Sequence, residues 1–404
     1  MRVCVVGAGI IGLATAWELQ RAGHEVVVLD RDVPGQGASG ANGAQLSYSY
    51  VAPLAEPGIW AQLPHLLLAP DSPLKLRPRL DPLQWLWGLR FLAACNARSA
   101  HQTTGALLQL AAESRAGFER MRAELQPDCD YTTTGKLVLH ADAASLQAAR
   151  RQVELQRALG SEQRLVSPEE CAAIEPALDG YHRQIAGAVF TPSECAADCL
   201  KLCQALAQAL VARGARLHSH AAVSDLVRQG GRACAARTPQ GEIQADAFVL
   251  ALGTASHALG RRLGVYLPVY PLKGYSITLA ADGAPGAAPR VSVTDSARKV
   301  VFARLGERLR VAGMAELVGA DRRIPPARIE TLVQATRAVF PRASARFEAL
   351  EPWAGLRPAT PTGRPIIGTL APAPANVLFN TGHGALGFTL AFGSAARIVA
   401  QLPH

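Results

Sequence analysis

The stretch Gly7-Ala8-Gly9-Ile10-Ile11-Gly12 constrains the fold of this chain more than any other feature of its sequence. The residues before it, 2–6, form an apolar and β-branched run that is typical of a buried parallel strand. The residues after it, 13–21, are good helix formers. A second apolar run, 25–29, follows. This order of strand, glycine loop, helix and strand predicts a βαβ unit that binds a dinucleotide.

Each glycine of the loop has a separate part in that prediction. Gly7 makes the tight turn, Gly9 lets the backbone approach a pyrophosphate, and Gly12 lets the helix pack closely on the strand. The N-terminus of the helix offers N–H groups and the positive end of its dipole to the phosphates. Asp30 ends the second apolar run, close to the spacing at which an acid accepts a hydrogen bond from a ribose hydroxyl.

Composition excludes several classes of protein. Apolar residues make up 49% of the 404 residues and charged residues 18%, as in a folded globular protein rather than a disordered one. The net charge of +9 comes from scattered Lys and Arg residues without a zinc finger or a basic arm, so we predict no nucleic-acid partner. No apolar run is long enough for a spanning helix. We therefore expect a cytoplasmic protein, either free or peripheral on the inner membrane.

The cysteines do not form a metal-binding pattern. Cys195, Cys199 and Cys203 fall at i, i+4 and i+8, which would place them along one face of one helix. No CxxC pair or histidine at zinc spacing accompanies them. We therefore predict free thiols and no metal site.

Helical and strand-like stretches alternate along the rest of the chain without internal repeats or long linkers. The predicted helices are 82–95, 103–125, 142–159, 196–213 and 326–340, and the predicted strands include 134–139, 246–254, 268–279, 299–303 and 308–313. Near the C-terminus, 376–387 repeats the order of strand and glycine-rich turn found at the N-terminus. We therefore expect two interleaved domains rather than two in series.

Four stretches together resemble the amine-oxidising flavoproteins of the D-amino acid oxidase superfamily, and within it the bacterial D-amino acid dehydrogenases. They are the N-terminal glycine loop, 268–278 with its Leu-Lys-Gly-Tyr-Ser core, 308–316, and the C-terminal part with 353–368 and 380–387. The resemblance covers nearly the whole chain. Two places depart from the family pattern: Phe388 follows Gly387 where Trp is expected, and Ser193-Glu194-Cys195 replaces an acid-and-glycine-rich turn.

The resemblance implies an α/β fold in which a glutathione-reductase-like Rossmann domain holds FAD noncovalently. An antiparallel-sheet-plus-helices (α+β) substrate domain is interleaved with it. We place the FAD-binding domain at 1–48, 142–262 and 352–404, and the substrate domain at 49–141 and 263–351. The predicted contacts to FAD are Gly7, Gly9, Ile10, Ile11, Gly12, Asp30, Arg31, Ser39, Ala41, Asn42, Gly43, Val223, Gly253, Gly382, Gly384, Ala385, Leu386 and Gly387.

The resemblance also implies the reaction. A D-amino acid is oxidised to the imino acid by hydride transfer to N5 of the flavin, water converts the product to a 2-oxo acid and ammonia, and electrons pass to a quinone-type acceptor. Arg357 would hold the substrate carboxylate, because a planar guanidinium donates two parallel hydrogen bonds and stays charged when desolvated. His383 would lie in the active site beside the flavin. Tyr50 and Tyr275 are candidates for pocket walls or carboxylate partners, with core packing as the alternative.

Two other functions stay open on the sequence alone. One is oxidation of a secondary amine (glycine, sarcosine or a D-proline derivative) by the same flavin machinery. The other is a non-catalytic FAD subunit that only transfers electrons. The aromatic segment with Trp85, Trp87 and Phe91, which has basic residues nearby, is either a peripheral membrane contact or a buried helix of the substrate domain.

Overall fold

The computed structural model describes residues 1–51, 53–60, 74–157, 161–282, 284, 286–345, 347 and 351–403. Within them the strands β1 to β20 are, in chain order, Arg2–Val6, Glu25–Leu29, Gln45–Leu46, Leu74–Leu76, Lys136–His140, Arg164–Val166, Gly187–Thr191, Cys195–Ala196, Arg216–His218, Asp225–Gln229, Arg232–Thr238, Gly241–Gln244, Ala247–Leu250, Tyr270–Ala280, Ser292–Asp295, Val300–Leu305, Arg308–Leu317, Trp353–Ala359, Ile366–Thr369 and Val377–Thr381. The helices α1 to α9 are Ile10–Arg21, Pro82–Ala94, Ala97–Leu125, Ala143–Arg157, Pro168–Ile174, Cys199–Ala212, Ser256–Arg262, Pro326–Val339 and Gly387–Val399.

Six strands form the first sheet, in the order β19-β20-β13-β1-β2-β9. All neighbouring pairs are parallel except β19 with β20. The two central strands β13 and β1 are almost wholly buried, as expected for parallel strands that are covered on both faces. The chain passes from β1 to β2 on one side, and the sheet continues through β13 on the other. The strand order therefore reverses at the carboxyl end of β1, which is where open α/β sheets bind ligands.

Helices cover one face of the first sheet and a small sheet covers the other. Trp17 of α1 is fully buried in an apolar cluster with Leu206 of α6 and Leu390 of α9. On the opposite face, Phe248 of β13 shares a second apolar cluster with Ala236 of β11, in the antiparallel sheet β10-β11-β12. These layers hold β1 and the glycine loop that follows it between two packed surfaces.

Nine strands form the second sheet. Eight lie in the order β18-β14-β17-β16-β15-β5-β7-β6, and β4 pairs with β17. The pairs are antiparallel except β15 with β5 and β17 with β4. Helix α8 packs on this sheet through Leu332 and Val333, which share an apolar cluster with Phe302 and Val311. The segment 41–47 is tied to the sheet by its backbone carbonyls, since Ser276 Oγ and Arg310 Nη1 donate to them at 2.6 and 3.0 Å.

The parallel sheet and the interleaved, largely antiparallel sheet confirm the predicted fold class. The predicted domain boundaries do not follow sheet membership everywhere. β6, β7 and β18 pair into the second sheet, whereas 142–262 and 352–404 are predicted to belong to the first domain. These three strands belong to the second sheet because β7 pairs with β5, β6 pairs with β7, and β18 pairs with β14. We propose a division by sheet that assigns these three strands to the substrate domain.

One predicted arrangement of cysteines is wrong. Cys195 lies in β8, which pairs with β3, and does not share a helix with Cys199 and Cys203. Helix α6 begins only at Cys199, because Asp198 Oδ1 caps it by accepting from two N–H groups of the first turn at 3.0 and 3.2 Å. All three thiols are free and buried. The described part of the chain holds no group of three His, Cys, Asp or Glu residues that could bind a metal ion.

Candidate active site

A cavity of about 920 Å³ lies between the two large sheets. One end starts at the carboxyl ends of β1 and β2, and the other end lies against β14 and β18. The first end is the point where the strand order reverses, the usual ligand site of such sheets. The volume is near the upper end of the range for small-molecule sites, so it accommodates a large cofactor.

The glycine loop closes the first end of the cavity. Gly7 has a φ of +115°, and a Cβ there would lie 2.4 Å from the carbonyl oxygen of Ala251. A Cβ on Gly12 would lie 1.7 Å from the carbonyl oxygen of Gly7, so α1 and β1 are in direct contact. Gly9 differs, because the atom nearest to its Cβ position is Ser39 Oγ at 3.5 Å, and the residue borders the cavity. Of the three glycines, only Gly9 leaves room for a group in the cavity to approach the backbone.

The carboxylate of Asp30 is fixed beside this loop. Its Oδ2 accepts from the backbone N–H of Ala8 at 2.5 Å, and its Oδ1 accepts from that of Asp32 at 2.9 Å. The N–H of Ile10, in the first turn of α1, donates to Ser39 Oγ at 3.0 Å. An acid that can accept from a ribose hydroxyl therefore lies next to a helix N-terminus that can bind phosphate.

The predicted cofactor contacts converge on this cavity. All of them line it except Gly12 and Gly382. Gly12 is packed against the carbonyl of Gly7. Gly382 has a φ of +82°, and a Cβ there would lie 2.6 Å from Thr360 Cγ2, so its backbone packs directly against Thr360. The individual contacts to the cofactor stay predictions.

Arg357 lies on β18 at the other end of the cavity. Its Nη1 donates to the carbonyl oxygen of Met314 at 2.8 Å, and no carboxylate among the described residues forms an ion pair with it. Burial lowers the pKa of Arg357 to about 10, so the group keeps its charge at neutral pH. A half-buried guanidinium that has no counter-ion among the described residues is suited to a ligand carboxylate.

His383 borders the same end of the cavity. The side chain is 2% exposed, and neither ring nitrogen has a hydrogen-bond partner within the described residues. Its backbone forms an antiparallel β-bridge with Ala359, which lies two residues after Arg357 on β18. Burial lowers the pKa of His383 to about 3, so the imidazole is neutral at physiological pH. The ring is therefore an uncharged group in the cavity wall, and both of its nitrogens are almost inaccessible to solvent.

The two predicted tyrosines both line the cavity, but their side chains make different contacts. Tyr275 donates its hydroxyl proton to Glu316 Oε2 at 2.8 Å, and Glu316 is paired with Arg328 at 2.6 Å. Tyr275 is therefore a wall of the cavity rather than a donor to a substrate carboxylate. Tyr50 lies with its ring centroid 4.5 Å from Lys136 Nζ and is 37% exposed.

Lys136 is a cavity residue that the sequence reasoning missed. It is 3% exposed, and its Nζ donates to Ser47 Oγ at 2.9 Å. Burial lowers the pKa of Lys136 to about 8. Glu194, whose pKa is raised by burial, accepts from the N–H of Ser49 at 2.7 Å on the same side. The available signal was a lysine directly before the apolar residues 137–139 of a predicted strand, since lysine is rarely buried without a partner.

The chain matches, over residues 2–402, the family described as FAD dependent oxidoreductase (DAO), and it belongs to that family. Its cofactor is therefore FAD. It is 50% identical to a D-amino acid dehydrogenase 2 of Ralstonia nicotianae, over 98% of this chain and 95% of that protein. It is 45% identical to a D-amino acid dehydrogenase 2 of Pseudomonas aeruginosa, over 99% and 94%. The solved structure of glycine oxidase from Geobacillus kaustophilus has the same fold, with a TM-score of 0.77 at 22% identity over 100% of this chain and 96% of that one.

The residues of the cavity fit FAD. Gly9 and the N-terminus of α1 provide a pyrophosphate site, and Asp30 provides an acceptor for a ribose hydroxyl. Gly253, after β13, and Gly384–Gly387, at the start of α9, border the cavity further along. Four backbone segments thus surround a single elongated space, as an extended dinucleotide requires.

Proposed function

We propose that this chain is a D-amino acid dehydrogenase, which oxidises D-amino acids to imino acids that water converts to 2-oxo acids and ammonia. The observation that carries the proposal is the charged guanidinium of Arg357 in the cavity wall, which no described carboxylate neutralises. The relatives named D-amino acid dehydrogenase support it, since they match almost the whole chain at 50% and 45% identity.

The residues of the chain bind and orient the substrate, while bound FAD supplies the hydride acceptor. Arg357 holds the carboxylate through two N–H groups, which fixes the position of the adjacent Cα. Fixing the Cα replaces a bimolecular encounter by a positioned one, and this lowers the barrier through entropy. His383 is neutral and its ring nitrogens are almost inaccessible to solvent, so it provides an uncharged wall that does not repel the substrate amine.

Part of the cavity wall suits an apolar substrate side chain. Trp87, Leu107 and Leu272 line it. Trp87 is rigidly placed, because its Nε1 donates to the carbonyl of Ala359 at 2.8 Å and its ring stacks on Phe91 at 5.2 Å. We therefore propose D-amino acids with apolar side chains, such as D-alanine, as substrates.

Anaerobic mixing of the FAD-loaded protein with single amino compounds tests this function. We expect D-alanine to bleach the flavin absorbance and L-alanine to leave it unchanged. Bleaching by sarcosine or D-proline but not by D-alanine would assign the chain to secondary amines instead. No bleaching by any of these compounds would make it a non-catalytic electron-transfer subunit.

We also propose that the electrons pass to a quinone at a membrane surface. The support is an apolar patch of four exposed residues on and before α2, namely Leu80, Trp85, Leu86 and Leu89. Exposed Arg77, Arg79 and Arg90 lie beside it in the sequence, so an anionic bilayer matches both its apolar and its basic side chains. Trp87, by contrast, is buried on the other side of α2. None of the helices in the described ranges is long and apolar enough to cross a membrane.

Vesicle binding and reoxidation test this second proposal. The double variant Trp85→Ser, Leu89→Ser should bind anionic vesicles at least about a hundredfold more weakly, since each buried apolar side chain contributes about 1.5–3 kcal/mol. Val211→Ser, at an exposed position on α6, is the control and should bind like the parent. The dithionite-reduced protein should react faster with a soluble quinone than with oxygen. Equal vesicle binding by all three proteins, or rapid reoxidation by air without a quinone response, would refute the proposal.

A further inference from the structure

The guanidinium of Arg357 occupies the space that a side chain at position 274 would fill, since residue 274 is a glycine. In the pairing of β14 with β18, Leu272 is opposite Arg357 and Gly274 is opposite Gly355. A Cβ on Gly274 would lie 2.3 Å from Nη2 of Arg357, 2.5 Å from its Cζ and 2.6 Å from its Nη1. Three atoms of the guanidinium are therefore almost equally close to one point, so the group lies across the face of the glycine. Any other residue at position 274 would force it away.

The strand on the other side of Gly274 is irregular at the same level. The register between β14 and β17 passes from Lys273 opposite Glu316 to Tyr275 opposite Gly313, so β17 carries one extra residue there. Met314, within this bulge, has a φ of +62°, which is uncommon for a residue with a side chain.

The bulge turns the carbonyl of Met314 toward Arg357. Its oxygen accepts from Arg357 Nη1 at 2.8 Å. A left-handed residue in a strand persists only where the surrounding structure enforces it, and such residues concentrate at functional sites. Gly274 thus fixes where the guanidinium lies, and the Met314 carbonyl fixes how it is turned. One of five N–H donors is used in this way, which leaves the others for a ligand.

We propose that Gly274 and the bulge at Met314 form a seat that positions Arg357, and that this seat sets the selectivity for substrates with a carboxylate. The inference rests on the proposed function, in which Arg357 binds that carboxylate. Gly274 and Met314 are positioning residues, because they act through Arg357. The recognised chemistry is an α-amino acid with a free carboxylate, as opposed to its neutral amide.

The test compares D-alanine with D-alaninamide as substrates of the FAD-loaded protein. A methyl group at position 274 must push the guanidinium by roughly 1 Å to reach an ordinary contact of ~3.5 Å. Displacements of this size in a positioning group cost up to about a hundredfold. In Gly274→Ala we therefore expect the ratio of kcat/KM for D-alanine over D-alaninamide to fall about tenfold or more, chiefly through KM for D-alanine.

The ratio is measured on one preparation, so it does not depend on the fraction of protein that keeps FAD. Gly105→Ala is the matched control, because a Cβ at this helical position meets no atom within 4 Å and the residue lies outside the cavity wall. Its ratio should equal that of the parent. Arg357→Ala, run in parallel, should abolish the preference for the carboxylate.

The outcomes separate the two claims. A ratio that falls in both Gly274→Ala and Arg357→Ala supports the seat. A ratio that falls in Arg357→Ala but not in Gly274→Ala overturns the seat and leaves the proposed function intact. If the ratio is unchanged in both variants, the carboxylate site lies elsewhere, and both the seat and the proposed function are overturned. A Gly274→Ala protein that holds no FAD at all also overturns the seat, because the substitution would then not act through Arg357 alone.

Discussion

Alanine substitutions at Gly9 and Gly12 should have very different effects on the stability of the protein. Gly9 has φ −76° and ψ 177°, which alanine adopts without strain, and the nearest atom to its Cβ position is 3.5 Å away. Gly9→Ala should therefore leave the free energy of unfolding of the FAD-free protein within about 1 kcal/mol of the parent, because the lower entropy of the unfolded chain is offset by the poorer N-cap that alanine provides for α1. At Gly12 the same methyl would lie 1.7 Å from a carbonyl oxygen. Gly12→Ala should lower that free energy by about 3 kcal/mol, at the upper end of the usual cost of overpacking.

Although Gly9→Ala should change the stability of the FAD-free protein little, it should weaken the binding of FAD. The methyl of Gly9→Ala would stand between the N-terminus of α1 and the pyrophosphate, and should remove one or two charge-assisted hydrogen bonds of about 1.5–3 kcal/mol each. We expect the Kd for FAD to rise at least about tenfold. Urea unfolding of FAD-depleted protein and titration of flavin fluorescence provide the two measurements. A Gly9→Ala protein that binds FAD as tightly as the parent would refute the assignment of the pyrophosphate to this loop.

Two further predictions concern the other end of the cavity. Arg357→Ala should lower kcat/KM for D-alanine about a hundredfold or more while FAD stays bound, since a charge-assisted bidentate contact is worth on the order of 3 kcal/mol. Arg357→Lys should recover only part, because an ammonium is not a planar fork, and steady-state kinetics with flavin absorbance would check both. Burial lowers the pKa of His383 from 6.5 to about 3, so its contribution to stability is complete above pH 6.5 and is lost as the pH falls toward 3. His383→Asn should flatten the pH dependence of unfolding in that range, and exposed His101→Asn should not; equal slopes in the two variants would contradict this.

Much of the fold follows from local pattern. The glycine loop could be placed from sequence because its turn, its helix and the acid at the end of β2 all lie within 30 residues. Helix α2 could be placed because its apolar residues begin after an Asp81-Pro82 start, and Asp81 does cap it. The membership of β6, β7 and β18 in the second sheet could not, since it depends on pairings between segments far apart in the chain.

The finer parts of the site depend on three-dimensional neighbours. Trp85 and Trp87 look equivalent in the sequence, but one faces solvent and the other donates to the carbonyl of Ala359. The hydroxyl of Tyr275 donates a hydrogen bond to Glu316, which lies 41 residues away in the sequence. No sequence motif identified Lys136 as a cavity residue, because its place there depends on contacts with Ser47 and Tyr50 that only the folded chain creates. Site residues that belong to a sequence motif were therefore predictable. Site residues whose role depends on contacts between distant segments were not.

Single-turnover reduction by D-alanine deuterated at Cα tests the central claim most directly. The FAD-loaded protein is mixed anaerobically with protiated or deuterated D-alanine, and the loss of flavin absorbance is followed by stopped flow. We expect both compounds to bleach the flavin, the deuterated one several times more slowly, with one 2-oxo acid formed per FAD. Complete bleaching by sarcosine with no reaction of either D-alanine would contradict the assignment of this cavity to D-amino acids.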